Sequence, residues 1–144
     1  MTLSTAIAAA LTATPPTGLP ASMDAITYRD QYDTAEHAAP MLIITETGSE
    51  NLTQSSLRKK TWEARLYTSP DDTPPADAPA ALEIIELHLR TSAFRAALKA
   101  QLAANQSLLH WTVLGVPPIK IDDRIVTDTI TGHAHLGVNA PAGD

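Results

Sequence analysis

The chain has 144 residues, the usual size of one domain, with a formal net charge of −6, no cysteine, and 44% hydrophobic against only 4% aromatic residues. That charge argues against a protein that grips nucleic acid through its phosphates, and the missing cysteines exclude disulfides and thiolate metal sites. No apolar run approaches the ~20 residues of a membrane helix. Much of the hydrophobic content is alanine, which predicts a thin core with close contacts between small residues.

The opening, MTLSTAIAAALTAT, has some look of a signal peptide, but no basic residue precedes Arg29 and its apolar stretch is weak. Leu3, Ile7, Ala10 and Leu11 instead fall at helical spacing. Thr2 or Ser4 can cap the start, and Pro15 and Pro16 stop the run, so a short amphipathic helix is expected. Gly18 and Pro20 mark a loop, after which DAITYRDQYD allows a short strand around Ile26 to Tyr32.

Pro40 leads into Met41 to Ile44, a continuous apolar run with β-branched residues, which predicts a strand buried on both faces. GSENLTQSS reads as a hairpin-like connection, or as an extended arm if the sheet continues through it. Arg58-Lys59-Lys60, the longest basic cluster, reads as a solvated strand entry. In the strand that follows, Trp62, Ala64 and Leu66 point one way and Thr61, Glu63, Arg65 and Tyr67 the other.

The loop SPDDTPPADAP has four prolines in eleven residues and should be stiff and exposed. Asp77 and Pro79 suit the start of a helix whose apolar stripe is Leu82, Ile85 and Leu89. Thr91 and Ser92 interrupt the pattern before Phe94, Leu98 and Leu102, spaced by four. Ser92 can cap a new helix, or one long helix can run through; Asn105 is a plausible stop.

SLLHWTVLG predicts a strand with Leu109, Trp111 and Val113 on one face, and KIDDR a turn. One long strand is expected over 124–138, with Ile130, Ala134, Leu136 and Val138 on one side and Thr129, Thr131, His133 and His135 on the other. The tail 139–144 is expected to be flexible. The order of elements predicts a single α+β domain over 1–144: a mixed, largely antiparallel sheet with helices packed on one face.

Constellations for chemistry are sparse. His133 and His135 leave the same strand face about 7 Å apart, a spacing that can serve one metal ion. Two ligands are not a site, and a third would have to come from His37, His88, His110 or a carboxylate. Asp71-Asp72 and Asp122-Asp123 lie in proline-flanked turns, where Asp usually bonds its own backbone. Neither a nucleophile elbow nor a phosphate-cradling glycine loop is present. Trp62 and Trp111 read as core residues of strands. No catalytic role, cofactor or metal is therefore expected, and the chain reads as one that binds or builds.

The layout resembles the tail terminator, or tail completion, proteins of long-tailed bacteriophages and related minor tail and neck proteins. The resemblance rests on the N-terminal helix LSTAIAAAL, the Pro-led strand PMLIITE, the strand KTWEARLYT running through a loop into AALEIIELHL, and the closing pair LLHWTVLG and DDRIVTDTITGHAHLGV. It covers residues 3 to 138 by order and strand texture; Asp24 to Ala39 does not match clearly.

The resemblance implies a non-enzymatic virion subunit, made in the host cytoplasm, that forms a homo-oligomeric ring, expected as a hexamer, at the head-proximal end of the tail tube. Its partners would be the tail tube protein and the head–tail connector proteins, with no specific nucleic acid and no membrane. Residues placed at a subunit or tail-tube interface on this reading are Asp71, Asp72, Asp77, Thr129, Thr131, His133 and His135. Unpaired edges of the 124–138 strand are expected to help join subunits. A head-closure or minor capsid adaptor, a cellular non-catalytic binding domain, and a metal-assisted enzyme using His133 and His135 are the alternatives.

Overall fold

The computed structural model of the chain describes residues 2–31, 40–51, 57–68, 77–102, 106–115, 119–121, 124–126 and 129–138. Helix α1 (Leu3–Ala13) buries Leu3, Ala6, Ile7, Ala8, Ala10 and Leu11, the stripe its spacing predicts. Thr2 caps it by accepting from the Thr5 N–H at 3.2 Å, and the turn closes at Thr14, before the two prolines. A 3-10 turn (Ala21–Met23) follows, and then the short strand β1 (Thr27–Arg29).

Strand β2 (Met41–Asn51) pairs antiparallel with β3 (Leu57–Tyr67) along its whole length, so the sheet continues through GSEN as an extended arm. A bulge at Thr47 absorbs one residue between Glu46 and Gly48. Met41 to Ile44 are all buried, as the continuous apolar run requires. Leu42 and Ile44 belong to the main core, while Met41 and Ile43 are buried on the other face of the strand. Trp62, Ala64 and Leu66 of β3 are buried in alternation.

Two helices follow rather than one: α2 (Asp77–Leu89) and α3 (Ser92–Gln101). The cap between them is Thr91, not Ser92; its hydroxyl accepts from the Phe94 N–H at 3.2 Å and donates to the His88 carbonyl at 2.7 Å. One short side chain thus closes α2 and opens α3. The expected stop at Asn105 lies outside the described residues.

The last part corrects the sequence reading. Strand β4 (Gln106–Gly115) is followed by a separate two-stranded ribbon, β5 (Ile119–Ile121) with β6 (Arg124–Val126), and only then by β7 (Thr129–Val138). The single strand expected over 124–138 is two, because β6 pairs with β5 and β7 pairs in the main sheet.

The five-stranded sheet has the order β1-β2-β3-β7-β4, parallel only between β1 and β2. The fold is therefore the expected α+β domain with a mixed, largely antiparallel sheet. α1 packs on α3, β1 and β2, and α2 and α3 reach β4. The core between helices and sheet includes Leu3, Ile7, Leu11, Leu82, Ile85, Leu89, Phe94 and Leu98 together with the inward residues of the strands. Each large apolar side chain so buried contributes about 1.5–3 kcal/mol. Ala6, Ala10 and Ala81 are fully buried, so small residues sit at the contacts where the elements meet.

Candidate functional site

The sheet has two unlike faces. On the covered face an aromatic chain runs from strand to helix: Trp62 stacks on Trp111 at 4.9 Å, Trp111 meets Phe94 at 5.8 Å, and Phe94 meets His88 at 5.7 Å edge-on. Trp111 Nε1 donates to the Leu89 carbonyl at 2.8 Å. His88 Nε2 lies 2.7 Å from the Thr14 carbonyl at the end of α1. These residues hold helices to sheet, so His88 is a structural histidine.

Glu46 does similar work at the other end of α1. Its carboxylate accepts from the Leu3 N–H at 2.8 Å and lies 3.3 Å from Lys60 Nζ. An acidic group at a helix N-terminus satisfies a free donor and opposes the helix dipole.

The opposite face is open to solvent along β3, β7 and β4. Register sets its rows: Glu50, Lys59, His135 and His110 lie side by side across β2, β3, β7 and β4, and Thr61, His133 and Thr112 form the next row. Three imidazoles therefore share one patch, with ring centroids 5.3 Å apart for His110–His135, 5.6 Å for His133–His135 and 6.5 Å for His110–His133. Desolvation lowers the His133 pKa below its usual value, and Lys59, His135 and His110 lower it further.

β4 reaches this arrangement through two bulges. Leu108 pairs with Leu136 and His110 with His135, leaving Leu109 as the extra residue; Val113 pairs with Gly132 and Gly115 with Thr131, leaving Leu114. Leu109 and Leu114 are 55% and 60% exposed. The expected face of Leu109, Trp111 and Val113 is thus corrected: Leu108, Trp111 and Val113 face the core, because the bulge reverses parity between Leu108 and His110.

The predicted site residues divide into three groups. Asp71 and Asp72 lie outside the described residues. Asp77 opens α2 and accepts from Ser22 Oγ at 2.6 Å, which ties the helix to the 3-10 turn on the covered side. Thr129, Thr131, His133 and His135 share the open face of β7, as their alternation predicts, and Asp77 is not brought to them.

The expectation that β7 offers an unpaired edge is overturned, since β7 is flanked by β3 and β4. Of the residues named as a possible third partner for His133 and His135, His110 is brought to the patch, and Lys59 joins it as well. Register places both: alternation with Trp111 already puts His110 on the open face, but only the pairing of β4 with β7 sets it opposite His135.

Two grooves flank the sheet edges. One of about 410 Å³ is lined by Thr12, Pro15 and the β1 edge from Ile26 to Arg29. Beside it the Tyr28 hydroxyl is buried, and burial pushes its pKa up to about 12. The other, about 250 Å³, lies along β4 between Arg90 and the run His110 to Val113. Among the described residues no three His, Asp or Glu side chains converge their donors on a point that would hold a metal ion as they stand. No family model matches the chain, and no curated protein is similar enough to count as a relative.

Proposed function

We propose that the chain is a ring-forming subunit of a bacteriophage tail or neck, a tail terminator that works by assembly and not by catalysis. The observation that supports this reading is a sheet with two unlike open edges. Among the described residues β4 is paired on one side only, by β7, and β2 beyond Ile43 is paired only by β3. Ring closure needs two different complementary surfaces on each subunit, and unlike edges at opposite sides of one sheet provide them. A ten-residue edge bearing exposed Leu109 and Leu114 is also an aggregation hazard unless a partner covers it. In this reading β4 of one subunit joins the outer half of β2 of the next, and the edge role expected of 124–138 passes to β4.

Light scattering over a range of concentrations, with negative-stain images of the same samples, tests the proposal. Rings are expected for the native chain and smaller species for Leu114→Glu, whose side chain is mostly in solvent and not needed for folding. A native chain that stays monomeric or dimeric at every concentration, and also on mixing with assembled tail tubes, would defeat the terminator reading and leave a general binding domain in its place.

A further inference from the structure

We propose that His110, His133 and His135 form a three-imidazole site for a divalent transition-metal ion of the zinc type, on the open face of the sheet. The proposal stands on the placement of the three residues and is independent of the ring reading. His133 and His135 are two apart on β7 and leave the same face, and His110 is directly opposite His135 on β4. Without the bulge at Leu109, the pairing of Leu108 with Leu136 would put Leu109 opposite His135 and turn His110 to the covered face. The bulge lets Leu108 and Trp111 both face the core while His110, in regular register with Trp111 to Val113, stays on the open face beside the other two imidazoles.

The spacing suits one ion. Three imidazoles bound to a tetrahedral zinc at about 2 Å from each nitrogen have ring centroids about 5 Å apart. The three separations in the protein are 5.3, 5.6 and 6.5 Å. The rings lie 27° to 31° from parallel, and as placed the three side chains do not make a metal-holding group. Convergence needs rotation about side-chain bonds and a closure of about 1 Å by His110 toward His133, not a change of strand register. None of the three rings is locked in the core: His110 is exposed and the other two are half-buried. Zinc, nickel, cobalt and copper(II) suit an all-imidazole set better than magnesium or calcium, which prefer oxygen. Solvent would fill the remaining position.

One neighbour opposes the ion. Lys59 stands opposite His135 on β3 and brings a positive charge to the patch. Its charge should weaken the site without abolishing it, because the long lysine chain can carry the ammonium group away into water. This gives the proposal a second, independent readout: removing the charge should tighten binding, whereas adventitious binding by scattered histidines would respond little.

The test uses the full chain, stripped with a chelator, and titrated with Zn²⁺ alone and Co²⁺ alone at about pH 7.5. One equivalent of each per chain is expected, with the intense visible bands of tetrahedral cobalt. His110→Ala should weaken binding by at least about tenfold, as should His133→Ala and His135→Ala, and Lys59→Gln should strengthen it. Metal-free thermal melts of each variant separate loss of ligand from loss of fold. Weak binding of several ions, or binding that His110→Ala leaves unchanged in a folded variant, would overturn the proposal.

Discussion

The indoles of Trp62 and Trp111 lie 4.9 Å apart and within 5° of parallel, although they belong to β3 and β4, which are not neighbours in the sheet. They meet across β7, where the inward positions opposite them are Gly132 and Ala134. Small residues there leave a trough that two large rings fill. Stacked aromatic pairs add about 0.5–1.5 kcal/mol beyond the area they bury.

Gly132→Ala tests this arrangement most directly. A Cβ at Gly132 would be driven into the Thr112 backbone carbonyl oxygen and the Trp62 ring, its third neighbour being Trp62 Cε2 at 2.7 Å. Neither the backbone nor a fully buried indole can yield cheaply. A loss of about 1–3 kcal/mol is expected in urea unfolding, together with a weaker tryptophan exciton signal in circular dichroism. Unchanged stability would show that the trough is not tightly packed.

Thr91→Ala should cost about 1 kcal/mol, because the hydroxyl that caps α3 is also the one that bonds the α2 carbonyl of His88. Thr91→Ser, which keeps the hydroxyl, should restore most of it. Denaturant midpoints of the three proteins decide the matter, and equal loss in both variants would rule out capping as the cause.

Glu46→Gln keeps the shape of the side chain and removes its charge from both Leu3 N–H and Lys60. The expected loss is about 1 kcal/mol, with faster amide hydrogen exchange confined to the first turn of α1. Uniform acceleration over the whole chain would point to global destabilisation instead, and no acceleration would show that the helix start is held by Thr2 alone.

Stability should also depend on pH through His133. Its folded pKa is lowered from 6.5, chiefly by desolvation and then by Lys59, His135 and His110. The unfolded chain therefore takes up this proton first as the pH drops. The contribution is fully present above the unfolded value and is lost as pH falls through it toward the lowered folded pKa. His133 is half-buried at the sheet surface and not enclosed, so the effect is small. With a chelator present, the stability difference between about pH 7.5 and about pH 5.5 should shrink in His133→Gln. An unchanged difference would place the pH sensitivity elsewhere.

What the sequence determined by itself was local. Alternation over 62–66 set which side of β3 is buried, and the spacing of Leu3, Ile7, Ala10 and Leu11 set the inner stripe of α1. The apolar run Met41 to Ile44 announced a strand buried on both faces, and the alternation of Thr129, Thr131, His133 and His135 announced their common face. Each of these follows from the period of one element, which neighbouring residues carry in full.

What only the tertiary structure decided depends on partners distant in sequence. A regular strand reading of SLLHWTVLG puts Leu109 with Trp111 and Val113, and nothing local in that stretch reveals the bulge that exposes Leu109 and turns Leu108 to the core, or the register that sets His110 opposite His135. The position of β7 between β3 and β4 likewise comes from packing, with the small residues Gly132 and Ala134 where the two stacked indoles cross it. Parity within a strand is a property of its own chain. Register and strand order are agreements between chains segments apart, and they are fixed by whichever pairing buries the large rings without a void.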